Sequence, residues 1–81
     1  MDASSFDVDF KLVAPSPGLR AWIKNTARAF YATSFQLTES LGVWECHVEF
    51  DTIEKAGIFA KAITNVTGTT IEPSARPGRG G

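Results

Sequence analysis

The segment 43–50 alternates strictly between apolar and polar residues. One side of this alternation is apolar and consists of Trp44, Cys46, Val48 and Phe50. The other side is charged or polar and consists of Glu45, His47 and Glu49. A period of two is that of a β-strand with one buried face and one open face. The chain must therefore form a sheet that is covered on one side, and its other segments have to supply the cover.

Further strands are predicted on both sides of this segment. Residues 6–13 show the same alternation, with Phe6, Val8, Phe10 and Leu12 on the inward side. Residues 35–39 alternate more weakly, and Ser40, Leu41 and Gly42 between them and residue 43 fit a hairpin turn, since glycine tolerates a positive φ. A short last strand is predicted at 69–72.

Two segments show helical spacing instead. From Leu19 to Phe30 the apolar residues recur every three or four positions, and Arg20, Lys24 and Arg28 fall on the outward side. A second helix follows Asp51 or Thr52 as its N-cap and ends near Gly68. Its predicted inward stripe is narrow and built mostly of small residues, namely Ile53, Ala56, Gly57, Ala60, Ile63 and Thr64.

The predicted order is strand, helix, strand, strand, helix, strand. Right-handed connections then favour an α+β fold of the ferredoxin-like βαββαβ type, in which an antiparallel sheet carries both helices on one face. The first and third strands are expected to be the central pair. Residues 1–72 form the predicted single domain, and residues 73–81, rich in glycine, arginine and proline, are predicted to be a flexible basic tail.

Length and composition limit the classes of function. A chain of 81 residues is one small domain with little room for a deep substrate cavity. It has no apolar run long enough to span a membrane and no signal-peptide pattern, so a cytoplasmic location without membrane contact is expected. The single cysteine excludes an internal disulfide and a multi-cysteine zinc site, and no cofactor is expected.

No catalytic set is recognisable, and we expect the chain not to be an enzyme. Cys46 and His47 are neighbours on a predicted strand, so their side chains point to opposite faces and cannot act together. Cys46 falls on the buried side, where a free cysteine usually behaves as a small apolar residue.

The open face of the predicted sheet collects acidic residues around one histidine. If the first and third strands are adjacent, side chains on facing positions lie about 5 Å apart, which groups Asp7, Asp9, Glu45, His47 and Glu49. Such a face could bind a cationic protein partner, or it could form a metal- or pH-responsive module around His47. It is also what the water-exposed side of an antiparallel sheet usually carries.

Most basic residues lie on the predicted helices and in the predicted tail. Arg20, Lys24 and Arg28 together with the tail could bind nucleic acid by long-range attraction. They are equally compatible with the solvated side of an amphipathic helix, and the isoelectric point of about 5.7 is low for a nucleic-acid-binding protein. Tyr31 falls off the inward stripe and is expected to add an exposed apolar contact to a binding surface.

The leading hypothesis is a small non-catalytic protein-interaction module that binds and regulates or inhibits a larger assembly. Compact inhibitors made by phages and mobile elements are an analogy for such a role. A nucleic-acid-binding domain and a module responding to metal or pH are the alternatives. A homodimer could also form through an exposed sheet edge, for which the strand at 35–39 is the predicted site.

Overall fold

The computed structural model describes residues 5–76. Along this part of the chain the elements are β1 (Ser5–Val13), α1 (Pro17–Ala29), β2 (Ser34–Ser40), β3 (Val43–Phe50), α2 (Ile53–Thr67) and β4 (Ser74–Arg76). The order of strands and helices is the predicted one.

The strands form one antiparallel sheet in the order β2-β3-β1-β4. β1 and β3 are the central pair, and their register sets Val8 opposite Val48 and Phe10 opposite Cys46. Apolar residues therefore meet apolar residues along one face, because facing positions of antiparallel strands share a side of the sheet. The α+β ferredoxin-like prediction is confirmed.

Both helices cover this apolar face. The buried core joins both central strands to α1 and α2, and it contains Val8, Phe10, Ile23, Ala27, Trp44, Cys46, Val48, Phe50, Ala56, Phe59, Ala60 and Ile63. Ala56 and Ala60 of α2 are buried, and their small side chains allow the helix axis to lie close to the sheet. The other face of the sheet carries no helix among the described residues.

Local signals define the helix ends. Ser16 precedes Pro17, and its Oγ accepts a hydrogen bond from the N–H of Leu19 at 3.1 Å. With this cap α1 begins at Pro17, two residues before the predicted start at Leu19. Thr52 caps α2 through the N–H of Lys55 at 3.2 Å. Gly68 closes α2 with φ of 77°, a left-handed conformation that glycine adopts without strain.

A two-residue turn joins β2 to β3. Leu41 and Gly42 both have positive φ, 54° and 80°, as a type I′ hairpin turn requires. The carbonyl of Gly42 also accepts a hydrogen bond from the N–H of Ala14 at 2.7 Å, which ties the turn to the end of β1.

The last strand differs from the prediction. Residues 69–72 are not a strand, because the N–H of Ile71 donates to Oγ1 of Thr64 at 2.8 Å and so holds this segment against α2. Ser74–Arg76, predicted to belong to the tail, pair with β1 as β4. Residues 77–81, the rest of the predicted tail, lie outside the described residues. Neither helix is long and apolar enough to cross a bilayer.

Candidate functional site

The structure brings the predicted acidic residues of β1 and β3 together on the open side of the sheet. We call Asp9, Glu45, His47 and Glu49 the acidic sheet face. Asp9 stands opposite His47, with His47 Nδ1 at 2.9 Å from Asp9 Oδ1. Lys11 stands opposite Glu45, with Nζ at 3.9 Å from Glu45 Oε2, the same oxygen that lies 3.9 Å from His47 Nε2. Part of the acidic charge is thus compensated locally.

Asp7 does not belong to the accessible part of this face. It is only 4% exposed, although its position is directly beside Glu49 on β3 and Ser74 on β4. At this position β1 has a paired strand on each side. Asp7 is thus buried in the described structure, and its predicted contact with a partner stays a prediction.

The residues around His47 do not form a metal site in the described structure. Along residues 5–76, no three His, Cys, Asp or Glu side chains are arranged to hold a metal ion. Nδ1 of His47 is engaged with Asp9, and Glu45 is shared with Lys11. Transition metals in proteins need several converging ligands with preferred geometry, which a flat row of paired side chains does not supply.

Cys46 lies in the core beneath this face. Its side chain is fully buried, and burial raises the pKa of the thiol to about 12. The thiolate is the reactive form of cysteine, so this shift suppresses nucleophilic chemistry at Cys46. His47, its neighbour in sequence, projects to the opposite side of the sheet, as predicted.

The basic residues of α1 divide into two groups, of which Arg20 forms the first. Arg20 Nη2 lies 3.2 Å from Glu39 Oε2, and its Nε donates to the carbonyl of Pro15 at 3.2 Å. Its guanidinium also lies 5.6 Å from the centre of the Trp44 ring, within cation–π range. Arg20 therefore holds α1 against the end of β2, and its charge is already compensated.

Lys24 and Arg28 form the second group and line the cavity that we call the α1–β2 groove. The cavity has a volume of about 230 Å³, and Ala27, Ala32 and Phe35 complete its lining. Along residues 5–76, neither Lys24 nor Arg28 makes a salt bridge. The groove thus has an apolar lining and two exposed cations that have no counter-charge among the described residues.

The groove follows the edge of the sheet. Arg20 contacts Glu39 near the end of β2, and Arg28 shares the cavity with Phe35 near its beginning. α1 consequently runs alongside β2 in the opposite direction, with its row of cations above the edge strand.

Tyr31 is exposed, as predicted, but it does not line the groove. It has φ of 59° just after α1, and Lys55 Nζ lies 5.5 Å from the centre of its ring. Lys55 in turn pairs with Asp51 at 3.1 Å. Tyr31 therefore sits beside the start of α2, and it extends the exposed surface without entering the cavity.

Ala32 and Phe35 are site residues that sequence reasoning did not find. Ala32 lies in the link between α1 and β2, where no periodicity gives its direction. Phe35 lies in the predicted strand at 35–39, and its inward position on an edge strand beside a helix was the signal that could have identified it.

The comparisons with protein-family models, with curated proteins and with solved structures found no match.

Proposed function

We propose that this chain is a non-catalytic protein-interaction module whose partner binds at the α1–β2 groove. The observation that carries the proposal is an apolar cavity beside two cations, Lys24 and Arg28, that form no salt bridge within residues 5–76. Binding sites on proteins typically combine a desolvated apolar centre with a few polar groups that fix orientation.

The acidic sheet face supports this role less well. Glu45 is paired with Lys11 and Asp9 is hydrogen-bonded to His47, and the cavity lies elsewhere. Exposed charges on a flat face affect the rate of association more than its affinity. We therefore assign this face at most a steering role for a cationic region of the partner.

A small domain that binds a larger protein can act by occupying a surface that the larger protein needs. In the proposed function the module regulates or inhibits an assembly in this way, without chemistry of its own. The burial of Cys46 and the separation of its side chain from His47 support the non-catalytic part of the proposal.

The test is site-specific photo-cross-linking of the full chain in cells that produce it naturally. The cross-linker replaces Leu37, an exposed residue of β2 on the same side of the sheet as the groove, and in a control it replaces Lys61, an exposed residue of α2. A protein adduct is expected from position 37 and not from position 61, and Lys24→Glu should weaken it. Equal adducts from both positions would contradict the assignment of the groove.

Nucleic acid is the second candidate, because Lys24 and Arg28 have no counter-charge in the described structure. Neutralising phosphates gives binding that weakens steeply with salt. If nuclease removed the adduct at position 37, the partner would be nucleic acid and not protein. The apolar lining of the groove favours protein, since phosphates gain nothing from Ala27, Ala32 and Phe35.

A further inference from the structure

We infer that the partner enters the α1–β2 groove as an extended acidic segment that adds a fifth strand to the sheet along β2. This inference rests on the proposed function and names the chemistry of its partner. Strand addition at an exposed sheet edge is a common way of binding peptides, in which backbone hydrogen bonds supply affinity and side-chain pockets supply specificity.

β2 is suited to accept a strand. It is the terminal strand of the described sheet and pairs only with β3 there. It is 7 residues long, whereas β4 at the other edge has 3. Residues 34–38 contain no charge and no proline, so the usual features that prevent edge pairing are missing over this stretch. Every second residue of an edge strand directs its N–H and C=O outward.

The side chains of an added strand would meet two different surfaces. On the helix side of β2 lie Phe35, which lines the cavity, and Leu37, which is 37% exposed. On the other side lie polar residues such as Gln36 and Thr38. Apolar side chains of the partner should therefore face α1, where they would cover Phe35 and Leu37 and remove apolar surface from water.

The charge of the groove selects an acidic segment. Lys24 and Arg28 stand at its rim without a salt bridge in the described structure, whereas the one acid on β2, Glu39, is engaged by Arg20. Carboxylates of the partner that flank its apolar residues would reach the two free cations. Complementary charges of this kind fix the orientation of a bound strand and exclude cationic sequences.

The same charge disfavours a second copy of this chain on the edge. Antiparallel pairing of two β2 strands would be related by a two-fold axis normal to the sheet. That axis leaves both helix layers on the same side, so the cations of one α1 would face those of the other. Like charges at close range repel, and the edge is thus better matched to a foreign acidic strand than to itself.

The experiment is a titration of the isotopically labelled full chain, followed by amide chemical shifts and hydrogen exchange. The probe is a synthetic peptide with the length of β2, 7 residues. Its odd positions carry glutamate at the two ends and valine between them, and its even positions carry threonine. We expect shifts at Ala32, Phe35 and Leu37, and slower exchange of the outward amides of β2 in the complex.

Two altered peptides and two variants are the controls. A peptide with lysine in place of glutamate should bind at least about tenfold more weakly. A peptide with proline at its central position should also bind more weakly, because it loses a backbone donor and the extended pairing. Lys24→Glu should weaken binding about fivefold or more, and Lys61→Glu, the same change on α2, should leave it unchanged.

Each remaining outcome overturns the inference in a distinguishable way. Equal binding of the proline peptide would show an acidic ligand without strand addition. If no acidic peptide binds while the adduct at position 37 persists, the proposed function stands and its partner is not an acidic strand. Dimerisation through β2 in sedimentation experiments, or displacement of the peptide by an oligonucleotide without protection of β2, would assign the edge to a different occupant.

Discussion

The rings of Phe50 and Phe59 meet at the centre of the core, with centroids 5.3 Å apart and planes inclined by 45°. Phe50 ends β3 and Phe59 lies in the middle of α2, so this contact attaches the second helix to a central strand. Phe10 of β1 adds a second ring at 6.3 Å from Phe59. Tilted aromatic pairs at these distances contribute beyond the area that they bury.

Phe59→Ala should therefore destabilise the fold by about 3–5 kcal/mol, since it removes a fully buried ring and leaves a cavity. The neighbouring residue is a matched control, because Ile58 is 54% exposed on the same helix. Ile58→Ala should change the free energy of unfolding by less than about 0.5 kcal/mol. Urea unfolding followed by tryptophan fluorescence measures both, and similar losses from the two variants would contradict the described packing.

The sequence pattern predicts the inward residues of β1 and β3 better than those of α2, for a physical reason. In β1 and β3 a period of two and a single covered face leave only one consistent set of inward residues. In α2 the predicted stripe ran from Ile53 through Gly57 to Thr64 and left out Phe59. Successive residues of a helix are rotated by about 100°, so a stripe of small residues fixes its direction poorly. The spacing of Phe59 from Ala56 and Ile63 was the signal that could have placed Phe59 on the inward side of α2.

The candidate site was harder to predict than the fold. Lys24 and Arg28 were recognised from their spacing, but the cavity beside them depends on how α1 lies across the beginning of β2. Arg20 has the same spacing as these two residues, yet it is occupied by Glu39 and Trp44. Only the packing of distant segments separates a cation that stabilises the fold from one that is available to a partner.

The thiol of Cys46 should be inert in the folded protein. Burial raises its pKa from an ordinary value of 9.0 to about 12, so the thiolate is scarce at neutral pH and no reagent reaches it. Alkylation should follow global unfolding as urea is added. The native state holds the thiol proton more tightly than the unfolded state, so this group lowers stability as pH rises from about 9 towards 12. Rapid alkylation without urea would contradict the burial.

The turn residue Leu41 is predicted to be a poor choice for stability. It is 100% exposed with φ of 54°, a conformation that asparagine tolerates better than leucine. Leu41→Asn should raise the free energy of unfolding by about 0.5–1 kcal/mol. Leu41→Val should lower it, because a β-branched side chain is strained at positive φ. Thermal unfolding by circular dichroism distinguishes the two, and a more stable valine variant would contradict the turn geometry.

The contact between Asp9 and His47 should contribute little to stability despite its short distance. Both side chains are about half exposed, so water screens their interaction. A double-mutant cycle with Asp9→Asn and His47→Gln should give a coupling free energy of about 0.5 kcal/mol. A coupling above about 2 kcal/mol would show that the pair is shielded from solvent and that the acidic sheet face is covered in solution.

Arg20 and Lys24 are four residues apart on α1, and they should respond differently to the same change. Arg20→Ala removes the ion pair with Glu39 and the contact with Trp44, and it should cost about 1–2 kcal/mol. Arg20→Lys should recover only part of this, because an ammonium lacks the planar fork that reaches both partners. Lys24→Ala should stay within about 0.5 kcal/mol.

Urea unfolding of these three variants separates residues that maintain the fold from residues that are free to bind. If Lys24→Ala destabilised the protein as much as Arg20→Ala, Lys24 would have a structural partner in solution and its charge could not select an acidic strand. If Lys24→Ala is as stable as the parent protein, the Lys24 ammonium has no structural partner and is available to bind. Any loss of binding in Lys24→Glu can then be attributed to the groove, because the fold beneath it is unchanged.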